Sequence, residues 1–316
     1  MGELKQATIT ILNTCIQAKE GESVLIITDK NKKEIANSLV NASKELSLKP
    51  TLIEIPELKI NGQEPPESTA QTMKEFDICI LVTSKSLTHT KARRSACEAG
   101  ARIATMPNAT VEMIKRTIPI NYQELQERNT KLVKLLEKTE IVRVTTQKGT
   151  DITMNIKGRD IHGINDGLYT QKGQYGNLPC GEVCLAPIEG TTNGKFIVDA
   201  SMGTGKLPSP LTIEVKNGFA TSITGEHAQK IKDMFKDLPK EAYNIAELGI
   251  GTNPNAKITG NVLEDEKVLG TAHIALGNNK SFGGDVDVPI HIDGIFRAPT
   301  IYLDSKMIIE QGKFLI

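Results

Sequence analysis

A change of apolar pattern near residue 140 constrains this chain more than any other feature. Ahead of it, Val24-Leu-Ile-Ile-Thr28, Ile78-Cys-Ile-Leu-Val-Thr83 and Ala101 to Thr105 are runs too short for core helices and apolar on both faces, so they read as buried strands. Thr51 to Ile55 is strand-like as well. Between these runs, residues 5–19, Lys32 to Leu46 and Thr88 to Ala99 carry helical spacing, and Glu64-Pro-Pro-Glu67 breaks the chain before a helix ending at Phe76. Strands separated by helices build parallel βαβ units, which predicts a doubly wound α/β layer closed by an amphipathic helix over 120–138. Beyond Ile141 the runs Ile141 to Thr146, Asp151 to Ile156, Lys195 to Ala200, Leu211 to Val215 and Thr300 to Leu303 are broken by Gly and Asn turns, with one helix from Ala228 to Phe235. Asn217-Gly218 is a hairpin signal. The expected fold class is therefore α/β: an N-terminal doubly wound α/β domain over 1–139 and a C-terminal α+β metal-binding domain over 140–316.

Charge and composition narrow the partners. With 38 basic and 38 acidic residues the chain has no net charge, and no basic block offers a field for a polyphosphate or an anionic membrane surface. Its apolar stretches fall well short of the roughly 20 residues that span a bilayer. The polar start, without the basic-then-apolar order of a signal peptide, leads to an expected cytoplasmic location. Five cysteines (Cys15, Cys79, Cys97, Cys180 and Cys184) are an odd number, which fits a reducing compartment better than a disulfide framework.

The chemistry-bearing residues gather in the second domain. His291 and Asp293 stand two apart in a strand-like run and project from one face, where an imidazole nitrogen and a carboxylate oxygen can share a cation. A surface hydrogen bond is the plain alternative. In Glu264-Asp-Glu266-Lys-Val-Leu-Gly-Thr-Ala-His273, acids precede a His among small and apolar residues, where a buried charge needs a partner. A solvated turn followed by a core His reads equally well. Glu247 lies alone in the apolar, Gly-rich Ala246-Glu-Leu-Gly-Ile-Gly251, as a buried ligand or a strand-end carboxylate facing solvent. Glu182 sits in Asn177-Leu-Pro-Cys-Gly-Glu-Val-Cys-Leu-Ala-Pro187, flanked by Cys180 and Cys184, which read as packing residues because no further thiolate or imidazole lies at zinc-site spacing. Taken together these residues exceed a closed structural zinc and suit two divalent ions roughly 3.5–4 Å apart around a shared water.

These segments, with Gly158-Arg159 upstream, resemble in order the M29 metallo-aminopeptidases of the aminopeptidase T and aminopeptidase S type. The resemblance implies Glu182, Glu247, Glu266, His273, His291 and Asp293 as metal ligands, Arg159 as a substrate-binding residue, and a homodimer. It implies two ions such as Zn2+ or Co2+, a peptide substrate, and hydrolysis by a metal-activated water with Glu182 or Glu247 as general base. The chain departs from typical members in being shorter, in a longer interval from Asp265-Glu266 to His273, and in reading Asn278-Asn-Lys-Ser-Phe282 where members carry a Tyr. A second reading takes His273, His291 and Asp293 as a 2-His-1-carboxylate set for one Fe2+, as in the dihydroxypyridine ring-cleaving dioxygenases that look like relatives of these peptidases. A third is a non-catalytic metal-binding relative.

Overall fold

The computed structural model describes residues 2–161, 163–203, 205–280 and 283–316. They divide into two compact units, Met1–Ile120 with Gly167–Cys180, and Asn121–Asp166 with Gly181–Ile316. The expected boundary at residue 139 thus shifts: the helix before it belongs to the second unit, and a later segment returns to the first.

In the first unit, helix α1 (Gly2–Thr10) runs into a π-helical turn at Ile11–Cys15, where a single helix over 5–19 was expected. The elements β1 (Ser23–Thr28), α2 (Lys33–Glu45), β2 (Lys49–Glu54), α3 (Glu67–Thr72), β3 (Ile78–Val82), α4 (Lys91–Glu98), β4 (Arg102–Thr105) and α5 (Val111–Thr117) follow. The strands pair in parallel in the order β2-β1-β3-β4, which is the doubly wound arrangement the sequence predicts. Strands β1 and β3 are buried almost throughout because helices must cover both faces of such a sheet. Thr90 and Thr110 start α4 and α5 by accepting the amide protons of Arg93 and Met113.

The second unit opens with α6 (Tyr122–Leu136), capped by Asn121. Next come β5 (Ile141–Thr145), β6 (Asp151–Asn155) and β7 (Gly163–Asn165). The chain then visits the first unit, where β8 (Tyr175–Asn177) adds a fifth parallel strand beside β4. It returns as β9 (Glu182–Leu185), β10 (Asn193–Val198), β11 (Ser201–Met202), β12 (Leu211–Lys216), β13 (Phe219–Thr224), α7 (Ala228–Phe235) and β14 (Ile245–Gly251). The elements α8 (Val262–Asp265), β15 (Thr271–Gly277), β16 (His291–Arg297), β17 (Thr300–Leu303), β18 (Lys306–Glu310) and β19 (Lys313–Phe314) complete the chain. Asn217 and Gly218 both take positive φ, 51° and 77°, and close the β12–β13 hairpin as expected.

Two antiparallel sheets form here, one in the order β13-β12-β10-β6-β5-β17-β18-β19 and one in the order β11-β16-β15-β14-β9-β7. A single core takes Val142, Ile152 and Phe196 from the first and Val183, Leu248, Ile274 and Ile292 from the second, together with Leu132 and Val133 of α6. The rings of Phe196 and Phe296 meet across it at 6.4 Å. Burial of one face of the six-stranded sheet leaves its other face for the site. Among the described residues no helix is long and apolar enough to cross a membrane.

Candidate metal centre

Strand register brings the acids and imidazoles together. Gly249 of β14 pairs with Cys184 of β9 on one side and His273 of β15 on the other, while Gly251 pairs with Glu182 and Glu247 with Ala275. Ala275 in turn pairs with Asp293 of β16, and Gly277 with His291. Residues paired across strands, and those two apart along a strand, share a face. Glu182, Cys184, Glu247, His273, His291 and Asp293 therefore line one side of the sheet. The intervening Val183, Leu248, Ile250, Ile274, Leu276 and Ile292 enter the core. Gly249 makes room for this arrangement: a Cβ there would lie 2.0 Å from Nε2 of His273.

Glu247, His273 and Asp293 each offer a ligand atom within 4.8 Å of the others, and all three are buried. His291 Nε2 joins them, 3.0 Å from Glu247 Oε2 and 3.3 Å from Asp293 Oδ1. His273 Nε2 is 3.5 Å from Glu247 Oε1 and 3.8 Å from Glu182 Oε2. The Nδ1 of His291 lies 2.7 Å from the carbonyl oxygen of Asn278, which can only accept, so Nδ1 carries a hydrogen and Nε2 is the nitrogen turned to the carboxylates. His273 Nδ1 is buried with no hydrogen-bond partner among the described residues.

The cluster demands positive charge. Burial alone would strip His273 of a proton, yet the hydrogen bond and charge of Glu247, with Asp293 and Glu182 behind it, raise its pKa to about 9. Burial works to raise Glu247, but the two imidazoles overcome it and hold this carboxylate well below its ordinary range. Cys184 goes the other way: burial and the charges of Glu247 and Glu182 push the thiol far up, so it is a protonated neighbour and not a thiolate ligand.

Two of the residues predicted as ligands are otherwise engaged. The Nζ of Lys267, fully buried, lies 2.6 Å from Glu182 Oε1 and in direct contact with Glu266 Oε1. Opposing burial, these two carboxylates hold the proton on Lys267. Arg159 donates to the carbonyl oxygens of Gly283, at 2.6 Å, and Pro187, at 3.2 Å, and to the carboxylate of Glu189. Glu189 also accepts from Asn279 Nδ2 at 2.7 Å and the Asp285 amide at 3.0 Å. Arg159, expected at the substrate, is thus engaged in a clamp on the loop after β15, the loop that carries the Asn278 carbonyl. Ser281 and Phe282, in the run that stands where the peptidases carry a Tyr, lie outside the described residues. Lys267, Asn278 and Gly249 were not singled out in the sequence; the signal available for the first was a Lys set between a Glu and an apolar run. Glu189→Ala is expected to lower stability by about 1–3 kcal/mol and to weaken metal binding at least several-fold through His291, read by thermal melting and metal titration.

An antiparallel sheet face with two imidazoles, two carboxylates and no available thiolate defines a metal-binding protein of the nitrogen/oxygen-ligand class. The chain belongs to the family described as NicX, 2,5-dihydroxypyridine 5,6-dioxygenase, whose model matches residues 3–316. The 2,5-dihydroxypyridine 5,6-dioxygenase of Pseudomonas putida KT2440 is 25% identical over 250 residues, covering 74% of this chain and 70% of that protein. The solved 2,5-dihydroxypyridine dioxygenase from the same strain superposes with a TM-score of 0.84 at 21% identity, over 99% of this chain and 96% of that one. Wild-type AmpT from Thermus thermophilus superposes with a TM-score of 0.72 at 16% identity, over 100% of this chain and 99% of that one, a likeness of fold alone. These findings overturn the expected aminopeptidase activity, and with it the hydrolase and protease class: the family and the P. putida relative are dioxygenases, and the peptidase resemblance survives as shared architecture.

Proposed function

We propose that this protein is a mononuclear, Fe(II)-dependent ring-cleaving dioxygenase acting on 2,5-dihydroxypyridine or a close N-heteroaromatic diol. The observation that carries the reading is the convergence of His273, Glu247 and Asp293 within 4.8 Å, with His291 Nε2 against both carboxylates. His273, His291 and Asp293 supply the 2-His-1-carboxylate set that suits non-haem iron, and Glu247 adds a second carboxylate. The all-nitrogen-and-oxygen donor set, with Nε2 of both imidazoles turned to the carboxylates, fits such an ion. A bound Fe(II) ion supplies the redox chemistry with O2 that no protein side chain offers.

The chain's own residues prepare the place. Asn278 fixes the His291 tautomer, Glu247 bridges the two imidazoles, and the protonated Cys184 withholds a competing soft ligand. One ion, and not the two expected from the peptidase resemblance, matches a cluster in which Glu182 and Glu266 are taken up by Lys267. After anaerobic loading with Fe(II), 2,5-dihydroxypyridine is expected to be consumed with one O2 per ring, followed by an oxygen electrode and the loss of ring absorbance. No O2 uptake by fully iron-loaded protein would contradict the proposal.

A further inference from the structure

We infer that Lys267 is a resident cation that takes the place of a second divalent ion beside the centre and so restricts it to one metal. This rests on the single-ion reading above and adds the residue that enforces it. Glu182 has the disposition of a bridging carboxylate, in which one oxygen serves each of two cations. Its Oε2 faces His273 Nε2 at 3.8 Å, while its Oε1 is held at 2.6 Å by the ammonium of Lys267. Glu266 meets the same ammonium from another direction. A divalent ion on these oxygens would stand against the ammonium, with neither charge screened by water, because the Lys267 side chain is 0% exposed.

The ammonium is built in. The Lys267 amide donates to Glu264 O at 3.0 Å, and its carbonyl accepts from the Asn253 amide at 2.8 Å. Just ahead, the buried Asp265 carboxylate accepts from the amides of Thr259 and Gly260 at 2.6 and 2.9 Å, fixing the turn from which Lys267 extends. A Lys buried to this degree is stable only when its charge is matched, and the matching groups are two carboxylates that would otherwise be hard-cation ligands.

Metal counting on the full-length chain tests this. After saturation with Co2+ and desalting, elemental analysis of the wild type is expected to find one ion per chain, Lys267→Met two, and Lys267→Met/Glu266→Gln one again. Three outcomes would overturn the inference: a wild type holding two ions or none, a Lys267→Met chain holding one, or a double variant holding two. So would a Lys267→Met chain that cannot be recovered folded with Co2+ in the medium, since a second ion should then stand in for the ammonium. A one-two-one pattern in a protein that consumes no O2 with dihydroxypyridine would leave this inference standing and remove the dioxygenase reading. A one-one-one pattern with O2 uptake would do the reverse.

Discussion

Gly249→Ala is expected to abolish metal binding while leaving both units folded. The added Cβ would lie 2.0 Å from Nε2 and 2.1 Å from Cε1 of His273, a distance no rotamer adjustment of a methyl can relieve. The strand cannot retreat, because Gly249 is paired on both sides, to Cys184 and to His273. The imidazole must therefore leave its place. Overpacking of this kind typically costs about 1–3 kcal/mol, which a domain of this size tolerates, whereas loss of a first ligand removes the centre. Thermal unfolding with and without Fe(II) separates the two effects: the variant should melt somewhat below the wild type and gain nothing from metal. Full metal-dependent stabilisation of Gly249→Ala would show that His273 does not bind in the place where it stands.

The second large effect is expected from Asp293→Asn. The side chain keeps its size and can still meet His291 Nε2, 3.3 Å away, but it loses the charge that balances the cation. Changes to groups that only support a ligand commonly weaken metal affinity about 10–100-fold, and a direct carboxylate ligand should exceed that range. Iron affinity is expected to fall at least about 100-fold by titration, with activity falling in step. Near-normal affinity would assign the ligand role to Glu247 in place of Asp293.

Much of the frame was legible because buried parallel strands have an unmistakable composition. Val24 to Thr28 and Ile78 to Val82 cannot be solvated on either face, so their strand identity and the helices covering them followed from one another. The placement of α6 was not legible: Leu125, Leu132, Val133 and Leu136 form an apolar stripe that would serve either unit, and only the tertiary structure assigns it to the second. Strand β8, Tyr-Gly-Asn, carries no apolar run, and its pairing beside β4 is set by the chain around it.

The centre itself was half legible. His291 and Asp293 occupy one face as their spacing requires, and Glu247 is a buried strand residue and not a solvated strand end. Glu266, expected as a ligand, stands against the ammonium of Lys267. The charge of its neighbour, Lys267, is invisible to motif matching by carboxylates and imidazoles. The solved dioxygenase and AmpT both share the fold of this chain, so architecture alone does not separate the two chemistries.

The measurement that bears most directly on the account is the fate of isotopically labelled oxygen. Iron-loaded protein turned over with 2,5-dihydroxypyridine under 18O2 is expected to give a ring-opened product carrying both 18O atoms, within the limits of exchange with water. A product with one label, or with none while the ring is still consumed, would contradict the assignment of this centre as a dioxygenase.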